Sequence, residues 1–148
     1  MTRIYVSVVL DATPIRVWEL VEDIESHQDW MNDATDIIIT SEQTQGVGTT
    51  FTVPTKVGPI RLTDKMTVTE WEPGDAMGVN HVGLVTGTGR FTLVSEGHNQ
   101  TTFSWGEDLT FPWWLGGPIG GLIGAKILRR IWHKNLASLA KIVQQAGS

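Results

Sequence analysis

Apolar residues recur along this chain with two different periods, and the change of period divides it into successive elements. Ile4, Val6, Val8 and Leu10 alternate with Tyr5, Ser7 and Val9, a period of two that predicts a strand. Thr13-Pro14 ends it: Thr13 suits an N-cap, Pro14 suits the first helical position, and Val17, Leu20, Val21 and Ile24 follow at helical spacing. Ser26 with Asp29 three places later resembles a capping box and predicts a second short helix carrying His27 and Trp30. From Thr35 to Thr110 the pattern turns to β-branched apolar runs near 35–43, 48–56, 60–72, 76–84, 88–96 and 101–110. Gln45-Gly46, Gly58-Pro59, Pro73-Gly74-Asp75, Gly87 to Gly89 and Gly97-His98-Asn99 separate them, and links this short permit only antiparallel neighbours.

After Pro118 the helical period returns. Leu128, Ile131, Trp132, Leu136, Leu139, Ile142 and Val143 share one face, with Asn135 as its polar member. A helix reaching Gln145 spans roughly 40 Å at 1.5 Å per residue, enough to lie across a whole sheet. The order predicts an α+β fold over residues 1–148 as a single domain: a seven-stranded curved antiparallel sheet, two short helices after the first strand, and a long C-terminal helix over the sheet.

Three local patterns accompany this order. Ala12-Thr13-Pro14-Ile15-Arg16-Val17-Trp18 opens the first helix, Thr69-Glu70-Trp71-Glu72-Pro73 closes a long strand, and Trp105-Gly106-Glu107-Asp108-Leu109 leads into Phe111-Pro112. With the element order they make the chain resemble the START-like superfamily, also called SRPBCC or Bet v 1-like, and within it the polyketide cyclase/dehydrase and lipid-transport group. The likeness covers essentially the whole chain. It implies a helix-grip fold with a cavity between sheet and C-terminal helix, where such proteins hold lipids, sterols, polyketides or plant hormones. Some members cyclise or dehydrate polyketides, so the resemblance speaks for a cavity more strongly than for a reaction.

Composition narrows the chemistry. Among 148 residues there is no cysteine, which excludes disulfides, thiolate nucleophiles and cysteine zinc sites and suits a cytoplasmic location. The net charge of -5 argues against a nucleic-acid partner. It is unevenly spread: seven acidic residues and no Lys or Arg lie between Glu19 and Asp36, while Lys126, Arg129, Arg130, Lys134 and Lys141 supply five of the eleven basic ones. The start of the chain reads as a strand and not as a signal peptide. The uncharged stretch from Leu109 to Ala125 holds five glycines and two prolines and is shorter than the roughly 20 apolar residues a membrane span needs.

Strand parity nominates an inner face of Phe51, Val53, Leu62, Met66 and Val68, continued by Met77, Val79, Gly89, Phe91 and Leu93, then Phe103, Trp105 and Leu109. The ligand-binding candidates are Trp30, Phe51, Met66, Met77, Val79 and His81; Phe91, Trp105 and Glu107; and Trp114, Ile123 and Ile127 at the start of the last helix. Gly116, Gly117, Gly120, Gly121 and Gly124 admit two readings: close approach of helix to sheet, or a gate at which Trp113 or Trp114 and the loop holding Trp30 open. Asp64, His81 and Glu107 are the polar members of the inner parity. Glu107, interrupting Phe103, Trp105 and Leu109, either faces a ligand among aromatics or meets solvent at a wet strand end, and His81 is either its partner or a structural histidine. The isolated histidines offer no metal-ligand spacing, and no cofactor is expected.

These residues support a binding or carrier protein for a hydrophobic small molecule. The alternative is a cyclase or dehydratase using Glu107 and His81 as an acid-base pair. A third reading adds transient contact with a membrane surface through Trp113, Trp114 and the basic last helix.

Overall fold

The alternation at the start of the chain becomes strand β1, Thr2–Leu10, with Ile4, Val6 and Leu10 buried and Tyr5 and Val9 exposed. A computed structural model of the chain describes residues 2–57, 59–83, 85–112 and 117–146. Helix α1, Pro14–Val21, begins where expected, but Thr13 caps it through its carbonyl, which accepts from the Val17 N–H at 3.0 Å, and not through its hydroxyl. Its buried face is Val17, Trp18 and Val21; Trp18, outside the expected stripe, meets Trp71 edge-to-face with ring centroids 5.1 Å apart. The next helix, Ile24–Asp29, is of the 3-10 type and starts after Asp23. No capping box forms there, because Ser26 turns its hydroxyl to the carbonyls of Leu20 and Asp23 at 3.1 and 2.6 Å.

Strands β2 (Ile38–Ile39), β3 (Thr50–Val57), β4 (Ile60–Glu72), β5 (Ala76–Val82), β6 (Thr86–Ser95) and β7 (Thr101–Thr110) follow. With β1 they form one antiparallel sheet in the order β1-β7-β6-β5-β4-β3-β2, so the two chain-terminal strands close one end and the meander runs away from them. The expected strand at 35–43 is cut to two residues. Asp36 takes the Ile37 N–H on its own carboxylate at 2.8 Å, and beyond Ile39 the N–H groups of both Thr40 and Ser41 converge on the Thr50 carbonyl, which ends the ladder. A register shift between Val68 and Glu70 reverses the parity of β4, which is how Trp71 comes to face Trp18 while Met66 and Val68 face inward. Gly87 to Gly89, expected as a turn, lies inside β6.

The last helix, α2, spans Gly117–Ala146. Its close backbone approach is to β1, and Trp132 stacks on Trp105 of β7 with centroids 4.3 Å apart and planes 13° apart. Trp132, Leu136, Leu139 and Val143 are buried against that end of the sheet. Asn135, fully buried in the same face, accepts from the Asn32 N–H at 2.9 Å and donates to Asp33 at 2.8 Å, tying the loop after the 3-10 helix to α2. Ile119, Leu122, Ile123 and Ile127, nearer the start of α2, remain exposed. No described helix is long and apolar enough to cross a membrane.

Two helical glycines show how closely α2 approaches its neighbours. A Cβ on Gly121 would stand 2.4 Å from the Thr2 hydroxyl and 3.3 Å from the Phe111 ring, so this glycine serves close packing of α2 on β1. At Gly124 the nearest neighbour would be Phe111 at 3.4 Å, an ordinary contact. Gly124→Ala should therefore raise stability by about 0.5–1 kcal/mol through helix propensity. Gly121→Ala should lose that gain, because Thr2 and Phe111 must move; urea midpoints of the two variants check this, and equal shifts would refute it.

Candidate functional site

Between α2 and the inner faces of β3 to β7 lies a cavity of about 380 Å³. Phe51 and Val53 of β3, Leu62 and Met66 of β4, and Met77 and Val79 of β5 supply its apolar floor. Phe91, Trp105 and Leu109 continue it across β6 and β7, and Ile123, Ile127 and Trp132 close the α2 side. Ile123 and Ile127 are 60% and 47% exposed, so they stand at the rim and not in the interior.

Of the expected residues, Phe51, Met66, Met77, Val79, His81, Phe91, Trp105, Glu107, Ile123 and Ile127 all border this cavity. Trp30 does not. It is buried one layer back, with its ring 5.8 Å from Phe91, 6.2 Å from Phe103 and 6.0 Å from Trp105, so it supports the wall. Trp30 is buried, and the loop that follows it is tied to α2 by the Asn135 bonds. Trp113, Trp114 and Gly116 lie outside the described residues.

Other wall residues come from the segment after the 3-10 helix: Met31, Asp33, Ala34 and Ile37. This segment has no period to read; it is placed by Thr35 and Lys56 bonding across to Pro54 and Asp33 and by Asn135 from α2. The visible signal was Asn135 itself, a polar residue in an apolar helical stripe that requires a buried polar partner. His27 also reaches the wall. Its Nε2–H donates to the Val21 carbonyl at 2.6 Å, and burial holds its pKa down at about 4, so it is a neutral structural histidine.

The polar end of the cavity is made by three strands. His81 on β5 and Glu107 on β7 are hydrogen-bonded through His81 Nε2 and Glu107 Oε1, although β6 runs between them. Strands two places apart are separated by about 9.5 Å. The bond forms because β6 presents no side chain there: His81 is registered with Gly87, and Glu107 with Gly89. A Cβ on Gly89 would lie 2.6 Å from Glu107 Oε1. Gly87 is required by its own backbone, at φ +148 with a Cβ position 1.9 Å from the Asp108 carbonyl oxygen. Asp64 on β4 completes the group; its Oδ1 is buried with no hydrogen-bond partner among the described residues.

Burial lowers the proton affinity of His81, and the bond to Glu107 together with the charges of Glu107 and Asp64 outweighs it, so the pKa is raised. For Asp64, burial raises the carboxyl pKa, with His81 opposing and Glu107 and Asp33 reinforcing the rise. The two histidines therefore affect stability with opposite sign. The His81 contribution is complete below pH 6.5 and is lost as pH rises through the raised pKa. That of His27 is complete above 6.5 and is lost as pH falls to about 4.

The sequence profile of the family described as polyketide cyclase / dehydrase and lipid transport matches residues 1–144. The chain belongs to this family. No curated protein matches it by sequence. Among solved structures, this polyketide cyclase/dehydrase and lipid-transport chain is similar to TTHA0849 from Thermus thermophilus, with a TM-score of 0.83, 16% identity and 99% of each chain covered. It is also similar to a START superfamily protein from Mycobacterium smegmatis, with a TM-score of 0.82, 13% identity and 99% of each chain covered. The Zhui aromatase/cyclase from Streptomyces sp. R1128 aligns with a TM-score of 0.81 and 13% identity over 99% of this chain and 95% of that one. At such identities the shared property is the fold, and the family membership supports a ligand-binding or cyclase-like role.

If glycine at β6 is what lets the dyad form, Gly89→Ala should push Glu107 away and leave burial as the dominant influence on His81. Its imidazole titration, followed by NMR, should then fall from above 6.5 to below it. An unchanged midpoint would show that the bridge does not depend on Gly89.

Proposed function

We propose that the chain is a binding or carrier protein for one small hydrophobic molecule, held in the cavity between the sheet and α2. The observation that carries this reading is the cavity itself, about 380 Å³ within an aromatic and aliphatic wall and with its polar groups gathered at one place. Volumes of roughly 300–1,000 Å³ with a few placed polar groups are usual for small-molecule sites. Close-packed cores leave few voids larger than a water molecule, so a hollow of this size is not an ordinary packing defect. The exposed Ile123 and Ile127 give an apolar ligand a first contact at the rim.

Val79, half-buried on the floor, offers a way to fill the space while keeping the surrounding core intact. Val79→Phe should weaken binding of an apolar fluorescent dye such as an anilinonaphthalene sulfonate ester about tenfold or more, with the unfolding midpoint unchanged or higher. Equal dye binding by both proteins, together with native mass spectra free of any bound lipid, would refute the reading.

A specific observation also favours a second reading, catalysis of a cyclisation or dehydration in the same cavity: His81 and Glu107 are bonded to one another inside it. A proton held on this pair can be delivered to a leaving hydroxyl or a carbonyl, and one taken from carbon can be returned to it. With a β-hydroxy ketone or poly-β-ketone thioester as substrate, Glu107→Gln should lower turnover by about 100-fold or more while dye binding is retained. The rate of the wild type should fall as pH rises through the raised pKa of His81, above 6.5. Turnover unaffected by Glu107→Gln would remove the dyad from any such reaction.

A further inference from the structure

The polar end of the cavity carries more acid than base, and this bears on what kind of head group a ligand can have. Three carboxylates border the space, Asp33, Asp64 and Glu107. Against them stand one histidine able to face the ligand, His81, and one arginine, Arg90. Arg90 alternates with inward Phe91 and so points to the outer face. There Glu70 holds its guanidinium through bonds of 2.7 and 3.0 Å, and its side chain is 56% exposed. His81 is already committed to Glu107. Asp33 is engaged by Asn135. The basic residues of α2, Lys126, Arg129, Arg130 and Lys134, do not border the cavity. The residues outside the described set contain no Lys, Arg or His. No uncommitted basic side chain is therefore available to neutralise an anion.

Asp64 is the one group in the cluster left with a buried, unused oxygen among the described residues. Asp64 borders the cavity on β4 between Leu62 and Met66, so a ligand held there meets its carboxyl group. A hydroxyl suits this carboxyl group in either protonation state, because a hydroxyl both donates and accepts. A ligand carboxylate satisfies it only by taking up a shared proton. Otherwise it places a further negative charge beside Asp64 and Glu107 in surroundings of low polarity, where like charges repel strongly and desolvation is costly.

We infer that the cavity takes a neutral amphiphile whose head is a hydroxyl group, an aliphatic alcohol or a phenol, hydrogen-bonded to Asp64, and that it rejects the corresponding carboxylate. This deepens the binding function proposed above and rests on it. Here Asp64 acts as the residue that sets head-group selectivity.

The test compares 1-decanol with decanoate at pH 7.5, matched in chain length, by titrating the intrinsic tryptophan fluorescence and by ligand-induced thermal shift on the full chain. Trp105 and Trp132 in the wall make the fluorescence report on occupancy. Decanol should bind the wild type at least tenfold more tightly than decanoate. In Asp64→Asn, which keeps the shape and removes the charge, decanoate affinity should rise and that ratio should shrink at least threefold. Decanoate binding the wild type as tightly as decanol would overturn the inference while leaving the binding function intact. A ratio unchanged in Asp64→Asn would overturn the role of Asp64. If neither compound bound, the inference would fall together with the function it rests on.

Discussion

One helix cannot cover this sheet. Seven strands about 4.8 Å apart make a surface about 29 Å wide, and an α-helix with its side chains covers only a strip about 10–12 Å broad, whichever way it runs. α2 meets this constraint by committing to the β1 and β7 end, where Trp132 lies flat on Trp105 and the Leu136, Leu139 and Val143 stripe is buried. The remaining width is partly roofed by the segment after the 3-10 helix, held up by Asn135. The cavity lies between these two elements and the sheet, with side chains of all three in its wall.

The polar cluster depends on the same arrangement. A buried charge is tolerated when it is paired and hydrogen-bonded, and breaking one partner of such a pair is far more costly than never having buried it. His81 and Glu107 answer each other, and Asn135 answers Asp33. Within this cluster Asp64, which borders the cavity, is left with a buried oxygen that no described residue answers.

Most of the fold was legible because long elements carry strong periods. The parity of β3, β5 and β7 put the right side chains inward, and the α2 stripe named Trp132, Leu136, Leu139 and Val143. The failures have physical causes. Strand 35–43 collapsed to Ile38–Ile39 because Asp36 offered the backbone a closer acceptor than the neighbouring strand. Ser26 and Asp29 have capping-box spacing, yet Ser26 bonded to carbonyls behind it. Trp30 is expected at the cavity and stands one layer behind its wall; an aromatic near a short helix looks the same in sequence in either place, and only three-dimensional layering separates the two. His81 and Glu107 were recognisable as inward polar residues and as candidate partners, but choosing between a pair and two separate groups took the register across a third strand.

The glycines of β6 have a consequence for reading distant relatives. At 13–16% identity a ligand cannot be carried from one chain to another by overall similarity. Gly87 and Gly89 are local and discrete: they act as a window in the sheet, through which side chains two strands apart can touch. A homologous sheet with a bulky residue in the window is divided, and its histidine and carboxylate become separate groups with separate proton affinities. Glazed or open, that window is visible in a sequence before any ligand is known, and it sorts members of one fold by the proton chemistry open to them.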